Sequence, residues 1–181
     1  MLSQKYLKSS AFKLSSKILK SKLNKEFFIK PYKHLIIDNV IDDSFANLCL
    51  KNFPSLDNKK NWNKSNLKSI EVKYRSNWES EFDIPKGLLE FVRILNSSII
   101  LKSLSEKFSI KKLMPDPYFT GGGLNITEKG GLLDVHVDGN YHDASSLNRR
   151  INVIIYFNKG YKNTWGGEFG IYSNNGKKCL K

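Results

Sequence analysis

Apolar side chains recur at Leu7, Ala11, Leu14 and Ile18, one face of a helix whose other positions are mostly lysine and serine. A buried strand is expected over HLIID, from His34 to Asp38. Asp42 or Asp43 is then placed to cap a helix carrying Phe45, Leu48 and Cys49, which Pro54 ends. Between Ser55 and Trp78 the chain becomes polar and asparagine-rich, which predicts a long loop region anchored by Trp62 and Trp78. Pro85 precedes a second amphipathic helix, with Leu88, Leu89, Phe91, Val92, Ile94 and Leu95 supplying a broad apolar face. After Pro115 and Pro117 the texture changes to short β-like runs divided by glycines: Gly121 to Gly123, Gly130 with Gly131, Gly139, then Gly166 with Gly167. The triple glycine lacks the lysine and hydroxyl residue of a phosphate-binding loop, so these glycines are expected to serve turns and close strand approaches. The resulting class is mainly β with N-terminal helices (α+β), and the β portion fits a jelly roll closing over an apolar cavity.

The 181 residues, 40% of them hydrophobic, suffice for one sizeable core. The expected organisation is a basic arm or helix over residues 1–30 followed by a domain over 31–181. Seven lysines from Lys5 to Lys25 face a single acid, Glu26, in the first 28 residues. A helix packed on the domain or a loosely ordered arm is the preferred reading; peripheral contact with a membrane surface and a transit-peptide role stay open. Nothing in the chain is long and apolar enough to cross a bilayer. Cys49 and Cys179 form no disulfide or zinc-ligand pattern, which favours a reducing compartment and a cytoplasmic location. The formal net charge of +13 comes mostly from scattered lysine, with arginine only at Arg75, Arg93, Arg149 and Arg150. Nucleic acid is therefore not the expected partner, although a salt-sensitive affinity for polyanions stays open.

The candidate chemistry lies in GGLLDVHVDGNYH. Side chains alternate across a strand, so His136 and Asp138 would project from one face and place an imidazole beside a carboxylate. That pair supplies two of the three ligands of a 2-His-1-carboxylate facial triad. Asp134 shares the face if the strand is regular, either as a partner of the ligands or as an exposed strand-start carboxylate. His34 reads as structural. His142, in the NYHDASS loop, either touches substrate or is solvated.

Taken together, GGLLDVHVDGNYH, RRINVIIYFNKGY and WGGEFGIYS resemble the prolyl 4-hydroxylase-like family of 2-oxoglutarate and Fe(II)-dependent dioxygenases. KPYKHLIIDNVIDDSFANLCLKNFP is similar to that family's opening strand and helix, so the resemblance runs from about Pro31 onward. It implies a cupin-like double-stranded β-helix that hydroxylates a C–H bond of a peptide or small-molecule substrate, coupled to oxidative decarboxylation of 2-oxoglutarate to succinate. It implies Fe(II) on His136 and Asp138, 2-oxoglutarate contacts from Tyr156 and Asn125, a substrate contact from Arg149, and L-ascorbate as an accessory reductant. Arg150 would hold loop carboxylates such as Asp143.

Relatives carry a distal histidine and then an arginine or lysine for the far carboxylate of 2-oxoglutarate. Here the only histidine after Asp138 is His142, no arginine follows Arg150, and Lys177, Lys178 and Lys181 stand where relatives have a surface turn. The expectation is a double-stranded β-helix incomplete at its C-terminus, that is, a truncated oxygenase with little or no turnover from these residues alone. A noncatalytic β-barrel binding module is the alternative.

Overall fold

The structure is a computed structural model that describes residues 2–67, 70–116, 118–119 and 122–180. Pro117, Gly121 and Lys181, named above, lie outside the described residues. Contacts divide the chain into two compact units, Met1–Phe53 with Ser80–Pro117 and Pro54–Glu79 with Tyr118–Lys181. The α+β class is observed, with helices in the first unit and antiparallel sheets in both.

The first unit is built from α1 (Gln4–Lys20), α2 (Asp43–Lys51), α3 (Leu88–Leu95) and α4 (Ser98–Phe108), with a two-stranded pair, β1 (Phe27–Phe28) and β2 (His34–Leu35). Ser3 caps α1 by accepting from the Tyr6 N–H. The expected stripe is buried at Ala11, Leu14 and Ile18 and packs with α3 and α4. The Ser15 and Ser103 hydroxyls meet at 2.6 Å between α1 and α4. The basic segment is thus a packed helix, its lysines left on the solvent side. HLIID is corrected to a two-residue strand at its start. Helix α4 was not foreseen: two residues, Asn96 and Ser97, separate α3 from a second helix start, which Ser97 caps by accepting from the Ile100 N–H.

Asp42 caps α2, its Oδ1 accepting from the Phe45 N–H at 3.0 Å and its Oδ2 from the Tyr6 hydroxyl. The Tyr6 hydroxyl first, then Ser44 and the Phe45 N–H, hold the Asp42 carboxyl below the ordinary aspartate range. A carboxylate depressed in the folded state stabilises the fold above its unfolded pKa and loses that contribution as pH falls through the folded value. Acidification below about pH 4 is therefore expected to lower the thermal midpoint of the wild type. Asp42→Ala, costing about 1 kcal/mol at neutral pH, should flatten that acid limb in a melting series.

Beneath these helices Phe45, Cys49, Ile84, Leu88, Phe91, Ile94 and Ile100 close the core. Cys49 donates to the Gly87 carbonyl, and burial, followed by the charge of Glu90, pushes its thiol up to about 11.

The second unit corrects the expected loop between Ser55 and Trp78. It contains a hairpin of β3 (Trp62–Leu67) and β4 (Glu71–Ser76), paired Trp62↔Ser76 through Leu67↔Glu71. The alternation Val72, Tyr74, Ser76 is strand-like, but the asparagines and lysines around it hide the signal. On its other side β4 pairs with β5 (Asn125–Ile126) and β6 (Leu132–Leu133). A separate hairpin joins β7 (Tyr141–His142) and β8 (Leu147–Asn148). Trp62 is the anchor expected, donating its indole N–H to the Ser55 carbonyl.

Two expected strands do not form ladders. INVIIYFN runs without sheet pairing among the described residues, and EFGIYS forms no ladder but pairs at its end, through the bridge Tyr172↔Cys179 and the Leu180 N–H donating to the Ile171 carbonyl at 2.7 Å. Ile154 is 50% and Tyr156 57% exposed, and Val137 is 90% exposed. The buried hydrophobic residues of this unit are Trp62, Leu124 and Ile171. INVIIYFN, strand-forming by composition, stays outside any sheet because no neighbouring strand among the described residues pairs with it.

Candidate metal centre

Gly130, at φ +80°, turns the chain into β6, and Gly131 brings it against β4. A Cβ at Gly131 would stand 2.9 Å from the Val72 and Glu128 carbonyl oxygens and would collide with Thr127 Cγ2. Gly131→Ala is accordingly expected to destabilise the protein by about 1–3 kcal/mol, the usual range for overpacking. Urea denaturation followed at Trp62 fluorescence would report it, and a loss below about 0.5 kcal/mol would show that the strands part without strain.

Beyond β6 the backbone is fastened once more, by the Asp134 N–H donating to the Ile70 carbonyl at 2.8 Å. His136 and Asp138 follow in unpaired chain, which corrects the expected regular strand. Their side chains nevertheless converge, with His136 Nε2 3.3 Å from Asp138 Oδ1, and both groups are about half exposed.

The opposite ring nitrogen settles what that contact is. His136 Nδ1 lies 2.7 Å from the Asp134 carbonyl oxygen, which can only accept, so Nδ1 carries a proton. In neutral imidazole Nε2 then presents a lone pair toward a carboxylate oxygen. Two acceptors face one another across a gap that a proton or a cation must fill. Donors held at right angles around one divalent metal, each at about 2.1 Å, are about 3 Å apart, close to the separation observed. A Nδ1 hydrogen bond to a backbone carbonyl is also the usual support of a metal-bound histidine. Asp134 thus acts on His136 through its backbone, while its carboxylate accepts from the Val135 N–H.

The hairpin β7–β8 returns the chain to this pair. The Arg149 N–H donates to the Asn140 carbonyl at 2.6 Å, one step beyond the Tyr141↔Asn148 register. Continued back along both arms, that register sets position 151 opposite position 138, and from the next position Asn152 Nδ2 donates to Asp138 Oδ2 at 2.9 Å. Asn152 escaped the sequence reading. The visible signal was its place at the head of an apolar run, where it is the one polar side chain between Ile151 and Val153. His142 also differs from expectation: it is buried, and its Nδ1 accepts from the Ser145 N–H at 3.1 Å, pinning the hairpin turn.

The other expected site residues lie apart from the pair in hydrogen bonding. The Tyr156 hydroxyl donates to the Gly167 carbonyl at 3.1 Å; burial first and the charge of Glu168 second raise its pKa. Tyr161 binds Glu168, and that hydrogen bond pushes the Tyr161 phenol up to about 12. Asn125 is exposed on β5 opposite Arg75. The side chain of Arg149 is exposed.

No third histidine, cysteine, aspartate or glutamate joins His136 and Asp138 among the described residues. Glu71, opposite Leu133 on β4, is committed to Lys73 Nζ at 2.7 Å. That hydrogen bond chiefly lowers its pKa, with the charge of His136 a lesser contribution. An open concavity of about 470 Å³ on the β3–β4 hairpin is lined by residues such as Asn63, Arg75 and Trp78, and neither His136 nor Asp138 borders it. The arrangement is therefore one imidazole and one carboxylate brought together at the surface, with no further ligand-type side chain beside them among the described residues.

A family model described as the 2OG-Fe(II) oxygenase superfamily matches residues 122–181, a third of the chain that contains His136, Asp138, Asn152 and Tyr156. No curated protein and no solved structure matches the chain.

Proposed function

We propose that this chain carries the iron half-site of a prolyl 4-hydroxylase-like dioxygenase, which uses Fe(II) and 2-oxoglutarate to hydroxylate a C–H bond of a peptide or small molecule. The observation that carries this reading is His136 Nε2 facing Asp138 Oδ1 at 3.3 Å, with Nδ1 turned to the Asp134 carbonyl, inside the segment that the oxygenase family model matches.

Bound Fe(II) and 2-oxoglutarate would supply the oxidative chemistry and the succinate, with L-ascorbate keeping the iron reduced. The protein's part is positional. The Asp134 carbonyl keeps the Nδ1 proton in place, so His136 offers Nε2 without a change of tautomer. Asp138 offers Oδ1. Tyr156 is assigned to a 2-oxoglutarate carboxylate, for which its hydroxyl must exchange the Gly167 carbonyl for the ligand. Asn125 is assigned to the co-substrate and Arg149 to substrate. Val137, Ile154 and Tyr156 present an exposed apolar flank beside the pair, a surface suited to an apolar part of the substrate.

Binding of 2-oxoglutarate in anaerobic calorimetry tests the reading. It should require Fe(II) or Mn(II) and should vanish in His136→Ala. Metal-independent binding, or none with metal present, would favour the noncatalytic β-barrel module. Two protein donors hold a cation weakly, so these 181 residues should form no succinate above background in the presence of oxygen. Succinate production coupled to oxygen uptake would contradict the two-donor account.

A further inference from the structure

We infer that Asn152 is a positioning residue that fixes Asp138 as a ligand through one oxygen, an inference that rests on the metal reading of His136 and Asp138. A carboxylate has two equivalent oxygens, and in solution it can rotate to offer either one or both to a cation. Here the symmetry is broken. Oδ2 accepts the Asn152 amide N–H at 2.9 Å, while Oδ1 faces His136 Nε2 at 3.3 Å. Occupying Oδ2 with a neutral donor leaves Oδ1 as the oxygen available to the cation and sets the plane of the carboxylate.

An asparagine suits this task for two reasons. Its amide donates without bringing a positive charge that would repel the metal. A lysine or arginine in the same place would pair with Asp138 and compete with the cation for it. The hairpin returns the chain to within reach of an exposed residue 14 positions away: the 141↔148 and 142↔147 pairs and the Arg149-to-Asn140 bond run the two arms back side by side, which brings Asn152 within one residue of the position opposite Asp138, and buried His142 locks the turn through Ser145. Losing a group that orients a metal ligand typically weakens metal binding about 10- to 100-fold.

The test compares wild type, Asn152→Leu and Asn152→Gln. Leucine keeps the size and removes the donor; glutamine keeps the donor on a longer arm. Mn(II) affinity and the splitting between the two carboxylate stretching bands, read by infrared on protein with isotope-labelled aspartate, are measured for each. Asn152 is exposed, so all three should fold, and a two-dimensional amide spectrum checks this. The inference predicts an affinity loss of about 10- to 100-fold in Asn152→Leu, a narrower band splitting as the carboxylate moves toward two-oxygen binding, and partial recovery of both in Asn152→Gln. Affinity within twofold of wild type and an unchanged splitting in Asn152→Leu would overturn it. If that happened while His136→Ala still abolished binding, the metal reading would stand and only the role of Asn152 would fall. If wild type failed to bind Mn(II), both would fall together.

Discussion

Replacing His136 with alanine is expected to lower divalent-metal affinity by more than about 100-fold, beyond the range that loss of a supporting group produces. The size of the effect follows from the donor set. One imidazole and one carboxylate are the protein donors that the described residues assemble, so removing the imidazole leaves a single surface carboxylate, which is no more selective than any other. Asp138→Ala should behave alike. Competition between Mn(II) and a chromophoric chelator measures both effects. A His136→Ala protein that keeps wild-type affinity would place the metal elsewhere.

The second large effect belongs to the helical unit. Phe45 is 1% exposed, and its ring meets those of Tyr6 and Phe91 edge-on at 6.0 and 6.1 Å, joining α1, α2 and α3. Phe45→Ala removes a large apolar surface and leaves a cavity between three helices, at a cost of about 3–5 kcal/mol. Against a total stability of roughly 5–15 kcal/mol, that is enough to leave a large fraction unfolded under mild denaturant. Urea titration followed by helix circular dichroism should show the helical transition moving down by about 2 M, given a slope of about 2 kcal/mol per molar. A loss below about 1 kcal/mol would mean that the site collapses around the alanine and that the three rings are not the keystone of this core.

What the sequence made legible divides along the same line. Helices α1, α2 and α3 followed from Leu7 to Ile18, from Asp42 and from Pro85 because each buries a periodic face and carries its own start signal. The hairpin β3–β4 was hidden, since its exposed positions are lysine and asparagine and only Trp62, Val72 and Tyr74 mark the strands. INVIIYFN shows the converse: β-branched residues predict a strand, yet pairing depends on a neighbour that local sequence does not contain. For the site, the spacing of His136 and Asp138 was legible, and their convergence holds even without the strand that suggested it. The role of Asn152 was not legible, because it depends on the register of the 141–148 hairpin, a relation between positions distant along the chain. His142 was misread for a related reason: Tyr118 packs beside it at 5.8 Å from a separate stretch of chain.

X-ray absorption at the metal edge, on protein loaded with less than one equivalent of Fe(II) or Co(II), tests the central claim most directly. The account predicts the scattering pattern of one imidazole together with oxygen donors in the wild type, and loss of the imidazole component in His136→Ala. A first shell of oxygens alone in the wild type, or an imidazole signal that survives the substitution, would contradict it.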